Sequence, residues 1–219
     1  MNDSHRRRMD KLDRERVFII DNTADFPKNS PVDLISETIN TKANNVLSRD
    51  AVLVASLGDK SQAMSIKGNQ RDNLLEAFRE IVLGARAIGE TISPGITSKF
   101  KMPEPRTEQN LIATADAFHS DTAAFEQQFI DVGLDADFRA ALIVAKNDFQ
   151  TARDEADSAA EEHGEAVGAL DALMRELMAH SRQRAAMVKL KYKNNPGKLA
   201  AWAIASHLDS APKSAPKPA

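Results

Sequence analysis

The chain has 219 residues, 42% apolar and 28% charged, with a net charge of −3; it is long enough to bury a core and too balanced to favour an acidic or a basic partner. It has no cysteine, which excludes disulfides, thiol nucleophiles and thiolate zinc sites. Aromatic residues reach only 5%, a composition that favours helices over strands, since strands draw on β-branched and aromatic side chains.

The first twenty residues are charged, and their longest apolar run is 17–20. A secretory leader needs about 7–15 apolar residues and a spanning helix about 20. The expectation is a cytoplasmic protein with no membrane association. Met9, Leu12, Ile19 and Phe26 then fall at steps that predict a helix over 6–25, stopped at Phe26-Pro27 because proline disfavours helical geometry in the residue before it.

Ser30, Pro31 and Asp33 mark a second start: a capping hydroxyl, a proline at the first helical position and an acid at the third. From there one apolar row runs Ile39, Val46, Leu53, Lys60, Lys67, Leu74, Ile81, Ile88. Its companion runs Ala43, Asp50, Leu57, Met64, Arg71, Phe78, Ala85, Ile92. The register holds across Gly58 and Gly68, so one helix is expected over 31–91. The alternative is a shorter bundle with the long helices broken near Gly58 and Gly164.

Residues 93–106 form a proline-marked connector that packs on the body through Phe100 and Met102. Thr107 caps a helix with the row Leu111, Ala115, Phe118, Thr122, Phe125, Phe129, ending at Gly133. The last long element, about 135–192, carries an unbroken four-three row from Phe138 through Leu142, Phe149, Ala156, His163 and Leu170 to Leu177. Asn194-Asn195-Pro196-Gly197 stops it. A short helix from Lys198 to about Leu208 carries Leu199, Trp202 and Ile204. Residues 209–219 are a Pro/Ala/Lys tail expected to be disordered.

These elements predict an all-α protein: a single domain over 1–208, elongated around two long antiparallel helices, with the shorter helices packed at the ends. In that register Lys60, Lys67 and Arg71 face the acidic stretch holding Asp154, Asp157, Glu161 and Glu165, charges that select register more than they stabilise.

Chemical motifs are scarce. Di-metal bundles need Glu-x-x-His on each of two helices. The nearest approach is Asp116 with His119, and it occurs once, so no metal and no cofactor is expected. Phosphate loops, dinucleotide fingerprints and nucleophile elbows are absent from the sequence. His163 sits in the seam amid carboxylates, where a switch or a plain polar contact are the two readings. A basic segment, Arg182, Arg184, Lys189, Lys191, Lys193 and Lys198, contains no acid and could contact phosphates or a partner, although cations also suit a helix C-terminus. The reading is a non-enzymatic structural or protein-interaction bundle, binding another protein or a second copy of itself as a homodimer. The alternative is a nucleic-acid-associated protein using the 182–198 segment.

Overall fold

In the computed structural model residues 2–91 and 95–209 are described, and among them there is no strand. The tail beyond Asp209 and the core position assigned to Ile92 lie outside the described residues. The helices are α1 (Asp3–Asp21), α2 (Pro31–Thr91), α3 (Glu108–Thr122), α4 (Glu126–Asp131), α5 (Phe138–Lys191) and α6 (Pro196–Ala205), with 3₁₀ turns at Ile96–Ser98 and Ala123–Phe125. The protein is all-α, and its two long helices run unbroken through all four of their suspect glycines, Gly58, Gly68, Gly164 and Gly168.

Local chemistry explains most ends. Ser30 Oγ accepts from Asp33 N at 3.3 Å, and the Asp33 carboxylate accepts from Asn29 N at 2.8 Å, so α2 starts on two satisfied donors. Gly133, at φ +105°, ends α4: its N–H donates to Ile130 O at 2.9 Å and Leu134 N–H to Phe129 O at 3.0 Å, the paired bonds of a Schellman stop. Asn195 Oδ1 accepts from Lys198 N at 3.1 Å and opens α6.

Several bounds differ from expectation: α1 begins at Asp3, α5 begins at Phe138, and α6 spans Pro196–Ala205 rather than 198–208. Helix α1 stops at Asp21 rather than 25, because Asn22 Nδ2 donates to Phe18 O at 2.7 Å and the chain then turns through Phe26. The expected single helix over 107–132 is divided into α3 and α4. Thr122 Oγ1 donates to Phe118 O at 2.8 Å and to His119 O at 3.1 Å, a side-chain bond that competes with the helical ladder where the 3₁₀ turn intervenes.

The chain was expected to form one domain; its contacts divide it into two compact units. The first is built from the chain up to Ser56 and from His163 onward, the second from Leu57–Glu162. In the first, α2 runs antiparallel to α5, with Lys42 Nζ 2.7 Å from Glu176 Oε2 and Ser56 Oγ 3.1 Å from His163 Nδ1. Helix α1 lies along α5 in the parallel sense, pairing His5 with Asp171 and Glu15 with Arg184. Leu12, Ile35, Ile39, Val46, Leu170, Met174 and Leu177 form one aliphatic core. Where α6 folds back, the Phe18 ring meets Trp202 at 5.1 Å and Tyr192 at 6.1 Å between centroids.

The second unit packs α2, α3, α4 and α5 around phenylalanine. Phe78, Phe118, Phe100, Phe129 and Phe138 form a continuous chain of ring contacts with centroids 5.2–5.5 Å apart, mostly edge to face. Gly84 lets this core close: a Cβ there would stand 2.8 Å from Phe129 Cδ1 and from Leu134 Cδ1.

Candidate functional site

Within the first unit the seam of α5 does not end at Leu177. It continues through Ser181 and Arg184, both wholly buried, to Val188 and Tyr192. Opposite them on α1 stands Glu15, also wholly buried. Arg184 Nη2 donates to Glu15 Oε2 at 2.6 Å, and Ser181 Oγ donates to the same oxygen at 3.0 Å. Lys11 Nζ reaches Glu15 Oε1 at 3.1 Å and Ser181 Oγ at 3.1 Å. Arg184 Nε and Nη1 have no hydrogen-bond partner among the described residues. A carboxylate held by two cations and a hydroxyl is a registry device: sliding α1 along α5 would strand a buried charge. The cluster offers no open face on which a substrate could rest.

The basic segment changes meaning accordingly. Arg184 is interior, so it contacts Glu15 and not an external phosphate. Lys198 Nζ bonds Asn22 Oδ1 and is half-buried. Arg182, Lys189, Lys191 and Lys193 are exposed, but Arg182 and Lys189 share one face of α5 while Lys191 projects nearly opposite Lys189 at 100° per residue. The six residues grouped by sequence are therefore not one surface.

The charges expected to face one another are also distributed. Lys67 Nζ is 3.9 Å from Asp157 Oδ1, yet its shorter contact is to Glu108 Oε1 on α3, at 2.5 Å. Arg71 Nη2 donates to Arg106 O at 3.4 Å. Asp154 pairs with its neighbour Arg153 at 2.6 Å, which raises the Arg153 pKa. Lys60 is half-buried, Glu161 and Glu165 are exposed, and none of the three makes an ion pair among the described residues.

Ser56 Oγ donates to Leu53 O at 3.0 Å and lies 3.1 Å from His163 Nδ1. Asp116 is 2.7 Å from Lys146 Nζ, and the buried His119 Nδ1 has no hydrogen-bond partner among the described residues. Among the described residues no group of three or more His, Asp or Glu is placed to hold a metal ion, and no helix is long and apolar enough to cross a membrane.

What the structure leaves open is one face of α2. The row Leu53, Lys60, Lys67 is half-buried, but Leu57 and Met64, assigned to its companion row, are 54% and 49% exposed. A helix covered along one stripe keeps the adjacent stripe in water. Ser61, Ser65 and Gly68, on the same stretch of the second unit, are exposed beside them, and Lys60 flanks Leu57 and Met64 at the i+3 and i−4 positions. A row of apolar residues reads first as core, so their spacing alone did not reveal their exposure.

Comparison of the chain with protein-family models, with curated proteins and with solved structures finds no match. What defines it is its class: an all-helical protein in which each of two long helices contributes to two compact units.

Proposed function

We propose that this is a non-enzymatic, cytoplasmic interaction protein, which docks helix against helix onto other protein chains and transforms no substrate. The observation that carries this reading is the outer face of α2. In the second unit the stripe holding Leu57 and Met64, 54% and 49% exposed, carries no charge of its own along Leu57, Ser61, Met64, Ser65 and Gly68. A helix surface meant for water is ordinarily lined with charge, and an exposed apolar stripe is what a partner helix covers. The ion pairs of Glu15 with Arg184 and of Asp116 with Lys146 join one helix to another, which favours the same reading.

The test is photocrosslinking in producing cells, with a benzophenone amino acid at exposed Ser61, on the stripe of Leu57 and Met64, and, as control, at exposed Glu155 on α5. Protein adducts at 61 that are absent at 155 support the reading. No protein adduct at 61 overturns it.

A further inference from the structure

We infer that α1 is exchanged between copies of this chain: in a dimer, α1 of each copy docks on α5 of the other, and the turn over 27–30 is the hinge. The inference concerns the first unit alone and does not depend on the stripe of Leu57 and Met64.

The hinge is short and bent. Helices α1 and α2 follow one another in the chain and lie antiparallel, since α1 runs with α5 and α2 against it. Most of the chain between them belongs to the α1 body: Asn22 Nδ2 bonds Phe18 O, and Phe26 is buried. What remains is Pro27, Lys28 and Asn29, all exposed, and half-buried Ser30, whose N–H donates to Pro27 O at 3.0 Å and closes the turn. Asn29 sits at φ +65°, a left-handed conformation that asparagine tolerates at some cost. Phe26 and Ser30 each precede a proline, which biases their backbone toward extended geometry. A short strained hinge favours exchange, because straightening it relieves the bend while the contacts of α1 are remade on the other copy.

The buried charges name the occupant. Any helix that takes the place of α1 must bring a carboxylate to Arg184 and Ser181, which are wholly buried and bond Glu15. It must also set a histidine beside Asp171 and apolar groups at the positions of Leu12, Phe18 and Ile19. A helix lacking the carboxylate strands a buried guanidinium, a penalty that rejects other partners. Helix α1 of a second copy meets every requirement, because its own sequence is the one already seated there.

The same interface is the one to open first. His5 Nδ1, Arg7 Nη1, and Arg184 Nε and Nη1 are buried with no hydrogen-bond partner among the described residues. Helix α2 instead meets α5 through the aliphatic row of Ile35, Ile39, Val46, Leu170, Met174 and Leu177. Incompletely compensated polar groups lower the cost of releasing α1 relative to parting that row.

The experiment uses the full chain, whose lack of cysteine makes each introduced thiol unique. Arg14 on α1 and Asp209 beyond α6 meet at 3.1 Å with both side chains open to solvent. Arg14→Cys and Asp209→Cys proteins, unfolded together and refolded at high concentration, should join through a short bis-maleimide into a covalent dimer of twice 24.0 kDa. Arg14→Cys mixed with Ser158→Cys, exposed in the second unit, should not. At the hinge, Asn29→Val should raise the association constant in sedimentation equilibrium by about tenfold, since a β-branched residue resists positive φ. Asn29→Gly should lower it, with the circular dichroism spectrum unchanged in both. Absence of the Arg14→Cys with Asp209→Cys dimer, even when both proteins also carry Asn29→Val, overturns the exchange. A dimer in sedimentation equilibrium without that crosslink overturns α1 as the exchanged element. Equal association of the Asn29→Val and Asn29→Gly proteins overturns the hinge. Adducts at position 61 report on the other reading, and the two can fail separately.

Discussion

The two units of this protein use the same pair of long helices and bury different things. The core of the second unit holds a chain of five contacting phenylalanine rings among aliphatic residues, and its charged residues remain at or near the surface. The first unit has an aliphatic core and an aromatic cluster around Phe18, Tyr192 and Trp202, and it also buries a carboxylate, a guanidinium and a hydroxyl. Large rings contribute apolar area and shape, so their core is specified by volume. A buried ion pair contributes little net stability but tolerates one alignment only, so that core is specified by register. A helix of 54 residues with alanine at many seam positions can slide at small cost, and one fixed polar contact removes that freedom.

The comparison is sharpest under substitution. In the second unit Phe129→Ala removes a wholly buried ring that touches two others and should cost about 3–5 kcal/mol in urea unfolding. A loss below about 1 kcal/mol would mean the ring chain is not the basis of that core.

In the first unit Glu15→Ala leaves Arg184 buried without its carboxylate and should cost a similar amount, about 3–5 kcal/mol. The two effects part company on double replacement. Glu15→Leu with Arg184→Met should restore stability to within about 1 kcal/mol of the parent or above it, since apolar substitutes for buried ion pairs are often neutral or better. Lys11, at 12% side-chain exposure, can carry its ammonium outward. A double variant as unstable as the single one would show that the pair stabilises the unit rather than fixing its register.

Glycine replacement separates the packed from the open. Gly84→Ala forces a methyl against Phe129 and Leu134 and should destabilise by about 1–3 kcal/mol. Gly168→Ala in the first unit, where a Cβ meets nothing within 4 Å, should stabilise by up to about 1 kcal/mol, the helix-propensity difference. Equal effects at the two sites would contradict the packing described for Gly84.

The smallest effect belongs to Tyr192, the single tyrosine. Burial, and then its hydrogen bond to Asp25 Oδ2 at 2.7 Å, raise its pKa above the ordinary phenol value. A folded-state pKa raised in this way contributes stability that is fully present below the unfolded value near 10 and is lost as pH rises through the folded value. Phenolate absorbance should therefore stay absent at pH 10 in native protein and appear there in denaturant. Tyr192→Phe should cost about 0.5–1.5 kcal/mol, the worth of one hydrogen bond. Native phenolate formed near pH 10 would contradict the contact with Asp25.

Much of the architecture was legible in the sequence. The bounds of α2 follow from Ser30, Pro31 and Asp33 and from an unbroken register, and every seam position read in α5 from Phe138 to Leu177 is buried or half-buried. Legibility failed where a polar residue takes a seam position. Ser181 and Arg184 continue the four-three spacing, but a basic residue near a helix end reads as surface, and so Arg184 was grouped with exposed lysines. It failed again at Leu57 and Met64, whose spacing is that of a core row and whose exposure depends on what lies beside them.

The sequence by itself marked the bounds of α2 and the stop at Gly133, since caps, prolines and a C-terminal glycine act within about five residues, and it determined the class, all-α. Only the tertiary structure decided which stripe of α2 is covered, that the chain divides into two compact units, and that Arg184 belongs to Glu15. Those facts depend on residues far apart in the chain, 169 positions in the case of Glu15 and Arg184. Helical periodicity states which residues share a face, but not what that face meets.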